Sequence, residues 1–215
     1  MLVISHRGYH KNLPENTLDA FQAALSLGVD GIETDVRLSR DGELILCHDR
    51  VAPDGREVAS LTRRELAAAL GHSVPTLAEA LALPGKILWN IEIKVPQAFS
   101  PALRLMESHP KAADILVTSF WHSAIEEHHQ NSRLPYGLLF ADRPATTDAF
   151  LATLRAIPRL AAVVWDYEIL DPALLPVCAS HGIETFVYGA STPAEHARCK
   201  ELGLSGVITD HPERR

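Results

Sequence analysis

Residues 31–48 read Gly31-Ile-Glu-Thr-Asp-Val-Arg37, Leu38-Ser-Arg-Asp-Gly42 and Glu43-Leu-Ile-Leu-Cys-His48. Two β-type runs flank Asp41-Gly42, a dipeptide suited to the tight turn of a hairpin. Gly31–Leu38 and Leu44–His48 are therefore expected to pair antiparallel, which brings His48 back beside Glu33. Side chains alternate along a strand, so Glu33, Asp35 and Arg37 share one face. They interrupt a run that is otherwise apolar at Val29, Ile32 and Val36. A charge in a buried strand is costly unless it is paired or metal-bound. A solvated hairpin face is the alternative, and burial of the apolar neighbours argues against it.

Outward from this stretch, short apolar runs alternate with helical patterns. Further strands are expected near Leu2–His6, Ile87–Lys94, Ile115–Phe120, Tyr136–Phe140, Ala162–Tyr167, Ile183–Tyr188 and Gly206–Thr209. Many are continuously apolar, as in a parallel sheet covered on both faces. Helices are expected over Asn16–Leu27, Thr76–Leu83, Ser100–Ser108, Ser123–Gln130, Thr147–Ala156, Asp171–Ser180 and Pro193–Leu202. Asn16 is the expected N-cap of the first and Gly28 its stop. Eight strands alternating with helices suggest a TIM-like (β/α)₈ barrel, with the hairpin projecting from its second strand. Asp49–Ser73 reads as a short insertion before the second barrel helix. The whole chain, 1–215, is expected to be a single domain. An open doubly wound sheet is the rival, but Gly203-x-x-Gly206 lacks the GxGxxG spacing of a phosphate fingerprint.

Composition narrows the function. The 215 residues carry 20 Lys and Arg against 27 Asp and Glu, a formal charge of −7. That balance argues against a nucleic-acid binder. With 47% hydrophobic and 22% charged residues, the chain is globular rather than disordered. Cys47, Cys178 and Cys199 are odd in number and lack CxxC spacing, which fits a reducing compartment. No run is long enough to span a membrane, and Met1–Gly8 does not read as a signal peptide. A cytoplasmic protein is expected. Oligomeric state is not legible.

The chemistry gathers at the carboxyl ends of the strands, where barrel enzymes place their sites. His6 ends the first strand and Arg7 follows it. Asn90, Glu92 and Lys94 share a face of the third barrel strand by alternation. Each has a structural alternative: a hydrogen-bonded core histidine for His6 or His48, a simple ion pair for Glu92 and Lys94. Taken together, Glu33, Asp35 and Glu92 offer oxygen ligands without cysteine, which suits Mg²⁺ or Ca²⁺. Arg7 and Lys94 then suit an anion, arginine a phosphate in particular. Two histidines can supply a base and an acid at neutral pH. These are the parts for cutting a phosphodiester. The remaining histidines, including His10, His129 and His196, are read as surface residues.

The motifs resemble those of the glycerophosphodiester phosphodiesterase family. They are His6-Arg7-Gly8, Pro14-Glu15-Asn16-Thr17, Ile32-Glu33-Thr34-Asp35-Val36, Asp41-Gly42, His48-Asp49, Glu92-Ile93-Lys94, Ser119-Phe120 and Gly206–Pro212. The resemblance covers nearly the whole chain. It implies a divalent-metal-dependent hydrolase that releases sn-glycerol 3-phosphate and an alcohol such as choline or ethanolamine. It implies His6 and His48 as the acid/base pair, Glu33, Asp35 and Glu92 as metal ligands, and Arg7 and Lys94 as phosphate contacts. A different alcohol or a lysolipid, a reaction stopping at a cyclic phosphate, and a non-catalytic phosphate-binding barrel are the alternatives.

The chain departs from the family pattern at two places. Asp49–Ser73 is shorter than the usual cap, so an open barrel mouth is expected. Thr185-Phe186-Val187-Tyr188 stands where many members have Trp-Thr-Val-Asn. Tyr188 is expected to point into the mouth, there to contact a glycerol hydroxyl or a choline-like cation, or to fill the space of the absent tryptophan.

Overall fold

The computed structural model describes residues 1–214. Its strands are β1 (Leu2–His6), β2 (Gly31–Leu38), β3 (Leu44–Leu46), β4 (Leu88–Ile93), β5 (Ile115–Ser119), β6 (Tyr136–Phe140), β7 (Leu160–Asp166), β8 (Glu184–Tyr188) and β9 (Gly206–Thr209). β1 pairs parallel with both β9 and β2, so eight parallel strands close into a ring. β3 lies outside it, antiparallel on β2, with Val36 opposite Leu46 and Leu38 opposite Leu44. This is the (β/α)₈ barrel, with its hairpin on the second strand.

The helices α1 (Leu18–Leu27), α2 (Arg63–Leu70), α3 (Leu77–Leu81), α4 (Phe99–Ser108), α5 (His122–His128), α6 (Thr147–Ala156), α7 (Leu175–Ser180) and α8 (Pro193–Glu201) connect them. In α1, Ala20, Phe21 and Ala24 form the buried stripe, and Gly28 closes the helix at φ 71°. The N-cap is Thr17 rather than Asn16: the Thr17 hydroxyl accepts from the Ala20 N–H. Asn16 is one residue outside the helix, and its side chain serves another purpose described below.

The insertion holds a helix that the sequence reading passed over. In α2, Thr62 and Glu65 form a reciprocal capping box and Gly71 ends the helix at φ 75°. Its Leu66 packs with Ile45, Cys47, Val58, Leu61 and Val74 in a small separate core. The segment thus packs against the hairpin. None of the residues lining the catalytic-end cavity comes from 49–73 among the described residues.

Inside the ring the strands stack in layers. Ile4, Leu116, Ala162, Phe186 and Ile208 form an apolar plug. Gly206 admits the Phe186 ring: a Cβ there would lie 2.7 Å from it. Register then sets the layer above, with His6 beside Glu33, Glu33 beside Asn90, Asp35 beside Glu92, and Glu92 beside Thr118. The inward positions therefore turn from apolar to polar toward the carboxyl ends of β1, β2 and β4. Two of the histidines read as surface residues are buried instead, His129 and His196. Each finds main-chain acceptors, Glu126 for His129 and Arg214 or Ala190 for His196.

Candidate active site

The loop after β1 shapes one wall of the site. Arg7 and Asn16 both adopt left-handed backbone conformations, φ 52° and 55°, uncommon for residues with a side chain. Between them Gly8, at φ 80°, passes so close to α1 that a Cβ would lie 2.7 Å from the Ala20 carbonyl carbon. This turn aims the Arg7 N–H at Glu33 Oε2, 3.1 Å away. It also lets Asn16 reach into the barrel. The Asn16 amide donates to Asp35 Oδ2 at 2.9 Å, and its Oδ1 accepts from the Thr34 hydroxyl at 2.6 Å. Backbone strain at such a position is sustained by the contacts around it.

Glu33, Asp35 and Glu92 are all buried, and each offers an oxygen within 4.8 Å of the other two. Lys94 Nζ lies 2.6 Å from Glu92 and 3.4 Å from Asp35. Arg7 Nε is 3.1 Å from Asp35, while its Nη1 donates to Glu15 at 3.0 Å. Three carboxylates against two cations leave one buried negative charge unbalanced. Burial pushes the Glu33 carboxyl well up, and the charges of Asp35 and Glu92 push it further. Glu92 is raised by burial and by Asp35, with Lys94 opposing. For Asp35 burial also acts upward, but Lys94, Arg7 and the Asn16 hydrogen bond outweigh it and hold the carboxyl below its ordinary range. Glu33 Oε1 and Asp35 Oδ1 are buried without a hydrogen-bond partner. A divalent cation fits this set: it would satisfy those two oxygens and turn the net charge from −1 to +1, opposite to a phosphodiester's.

The five other predicted residues surround the same space. His6, Arg7, His48, Lys94 and Tyr188 line a cavity of about 260 Å³ together with Glu33 and Glu92. Asp35 sits behind them, nearly sealed from solvent. His6 Nε2 is 3.8 Å from Glu33, and its Nδ1 is 2.7 Å from Asp210 Oδ1. His48 Nδ1 lies 2.9 Å from Asp49. His48 and Glu33 line the same cavity, and Glu33 also lies against His6. On the far wall the Tyr188 and Phe120 rings meet edge to face at 6.2 Å. The Tyr188 hydroxyl lies 3.4 Å from the Phe140 carbonyl, and burial together with the neighbouring Asp166 pushes its pKa up.

Three contributors carry no site role in the sequence analysis. Asp210 stands in Thr209-Asp210-His211-Pro212 and takes both His6 and His10 on one oxygen, the latter at 3.1 Å. Those two histidines hold its carboxyl well below the usual range, His10 most strongly. Its motif is legible in Gly206–Pro212, but its pairing is not, since its partners are about 200 residues away. Asn90 accepts from the Thr118 hydroxyl at 2.7 Å on the cavity wall. Asn16 is legible as a helix cap and a motif member but not as a carboxylate partner, although an asparagine just before a Thr cap is a candidate for the left-handed conformation.

The comparisons with known proteins agree with this geometry. A glycerophosphodiester phosphodiesterase of Caldanaerobacter subterraneus is 30% identical over 99% of this chain and 95% of its own. The crystal structure of a glycerophosphodiester phosphodiesterase from Thermotoga maritima superposes with a TM-score of 0.84 at 26% identity, covering 99% of this chain and 96% of that one. An Oleispira antarctica phosphodiesterase, solved with the product sn-glycerol-3-phosphate, shares the fold at a TM-score of 0.85 and 20% identity, over 100% and 94% of the two chains. The model of the glycerophosphoryl diester phosphodiesterase family matches residues 6–214. With closed barrel, buried acidic triad and near-complete coverage in agreement, this chain belongs to the glycerophosphoryl diester phosphodiesterase family.

Proposed function

We propose that this chain, acting as one catalytic unit over 1–215, hydrolyses glycerophosphodiesters to sn-glycerol 3-phosphate and an alcohol. Glu33, Asp35 and Glu92 would hold one divalent cation, Mg²⁺ or Ca²⁺. The observation that carries this reading is the buried triad, two of whose oxygens take no hydrogen bond, set at a cavity lined by two histidines, an arginine and a lysine. A bound cation would polarise the phosphate and orient the attacking oxygen.

The protein's own groups have definite parts in this scheme. Ionised Asp210 can only accept, so a neutral His6 carries its proton on Nδ1 and presents Nε2 toward Glu33 and the cavity. Asp49 sets His48 in the same way. One imidazole takes a proton from the nucleophile, and the other delivers one to the leaving alcohol oxygen. The nucleophile is the neighbouring glycerol hydroxyl, followed by water on a cyclic phosphate, or water directly. Arg7 and Lys94 bear on the phosphate oxygens. Tyr188 faces the alcohol.

Among the described residues no helix is long and apolar enough to cross a membrane, and all three cysteines are free and buried. That supports a cytoplasmic enzyme acting on water-soluble diesters. The test is release of glycerol 3-phosphate, read by a coupled dehydrogenase, from several diesters with and without chelator. Activity should vanish on chelation and return with Mg²⁺ or Ca²⁺, and His6→Ala and His48→Ala should each lose ~10²–10⁴-fold. Intact metal binding with no product from any diester would make the barrel a binding module instead.

A further inference from the structure

His48 lies beyond the end of the hairpin ladder. β3 stops at Leu46, and the last main-chain bond on that side joins the Cys47 N–H to the Asp35 carbonyl at 3.0 Å. The His48 carbonyl takes no main-chain donor among the described residues. It is met by a side chain: Arg37 donates to it from Nε at 3.0 Å and from Nη2 at 2.7 Å. Arg37 is half-buried and takes part in no ion pair among the described residues. Burying a guanidinium is costly; the charges of Asp35, Glu92 and Asp49 act on it without an ion pair, and the two bonds to this carbonyl are its hydrogen bonds. Arg37 also does not line the catalytic cavity. It faces the neighbouring cleft with Arg40, Arg50 and Val95. A direct contact with the substrate phosphate is therefore not its part, although alternation puts it on the same strand face as Glu33 and Asp35.

We propose that Arg37 is a positioning residue for His48: its forked guanidinium clamps the His48 carbonyl and fixes the imidazole over the reacting phosphate. The inference rests on the acid/base reading of His48 given above. A planar fork holds one acceptor in direction as well as distance, which a single ammonium cannot do. Misplacing a catalytic group by about 1 Å costs ~10²-fold. Arg37→Met removes both donors and keeps an apolar stem. It should lower kcat by ~10–100-fold with KM within about 3-fold, because the loss falls on the transition state rather than on binding.

The test is a double-mutant cycle with His48→Ala, read by glycerol 3-phosphate release, alongside proton–carbon NMR of the His48 ring, identified by its absence in His48→Ala. In the His48→Ala background Arg37→Met should cost less than about 2-fold, since a group acting through His48 has nothing left to act on. The His48 ring signal should shift or broaden in Arg37→Met while the His6 signal stays. Should Arg37→Met fail to fold, Arg37→Lys enters the same cycle; with one donor nitrogen in place of the two-nitrogen fork it should lose ~3–10-fold, again only when His48 is present. Wild-type kcat in Arg37→Met or, where that variant fails, in Arg37→Lys overturns the proposal. So does a loss that persists in full without His48, or an unmoved His48 signal. Full activity of His48→Ala itself sinks the reading of His48, a separate outcome from any of these.

Discussion

Asn16 offers the sharpest test of how the site is built, because one buried side chain there does three jobs. Its amide donates to Asp35 Oδ2 at 2.9 Å, its oxygen accepts from Thr34 at 2.6 Å and from the Asp35 N–H at 3.3 Å, and its backbone sits at φ 55°. In Asn16→Ala the bond to the buried carboxylate goes, worth ~1.5–3 kcal/mol for a charged acceptor. The Thr34 hydroxyl, fully buried, loses its acceptor at a cost of ~1–3 kcal/mol. Alanine also tolerates the left-handed region less well, by ~1 kcal/mol. The terms overlap, so a destabilisation of about 3–5 kcal/mol is expected, a large part of the ~5–15 kcal/mol of an ordinary domain. At ~2–4 °C per kcal/mol for a chain of this size, Tm should fall by ~10 °C. Asn16→Gly loses the same bonds but relieves the backbone, so it should be about 1 kcal/mol less damaging on that account. Urea unfolding of both variants, at unchanged m, gives the comparison. The reasoning fails if Asn16→Ala costs under about 1 kcal/mol, or if Asn16→Gly is the worse of the two.

Metal affinity should depend on pH through Glu33. Burial and the charges of Asp35 and Glu92 hold its carboxyl well above the ordinary range, whereas a cation binds only the ionised form. Below that raised value binding must expel a proton, so affinity should rise with pH by up to ~10-fold per unit and level off above it. Titration calorimetry in buffers of different ionisation enthalpy would count the proton, and affinity flat from pH 5 to 8 would contradict the assignment. At the alcohol side, Tyr188→Phe should change kcat/KM by less than about 10-fold, since a neutral hydroxyl's hydrogen bond is worth about 1 kcal/mol and its contact to Phe140 is a long one, 3.4 Å. With no residue of 49–73 on the cavity wall, discrimination among choline, ethanolamine and glycerol head groups should stay within ~10–200-fold. A preference beyond ~10⁴-fold for one head group would mean a dedicated polar pocket.

Much of this molecule is written in local pattern. The period-two placing of Glu33, Asp35 and Arg37 within an apolar strand, the Asp41-Gly42 turn and the repeated strand–helix alternation lead to a barrel with a hairpin on its second strand. They also lead to a polar set at its carboxyl end. Local pattern also marks α2: Thr62-x-x-Glu65 followed by Gly71 is a capping box with a glycine stop, and the helix lies between them.

What the sequence determined alone was the inventory and the face. Hydrophobic period and turn chemistry act over a few residues, so strand type, helix type and the sharing of one face by Glu33 and Asp35, or by Asn90, Glu92 and Lys94, follow without coordinates. Tertiary structure alone decided the pairing. Asp210 meets His6 across 204 positions of sequence, Asn16 leaves its helix to bind Asp35, and Arg37 turns from its own strand to the carbonyl of His48. No periodicity encodes such contacts. They exist because closing β1 onto both β2 and β9 brings distant chain ends to one rim, where each buried polar group must find a partner.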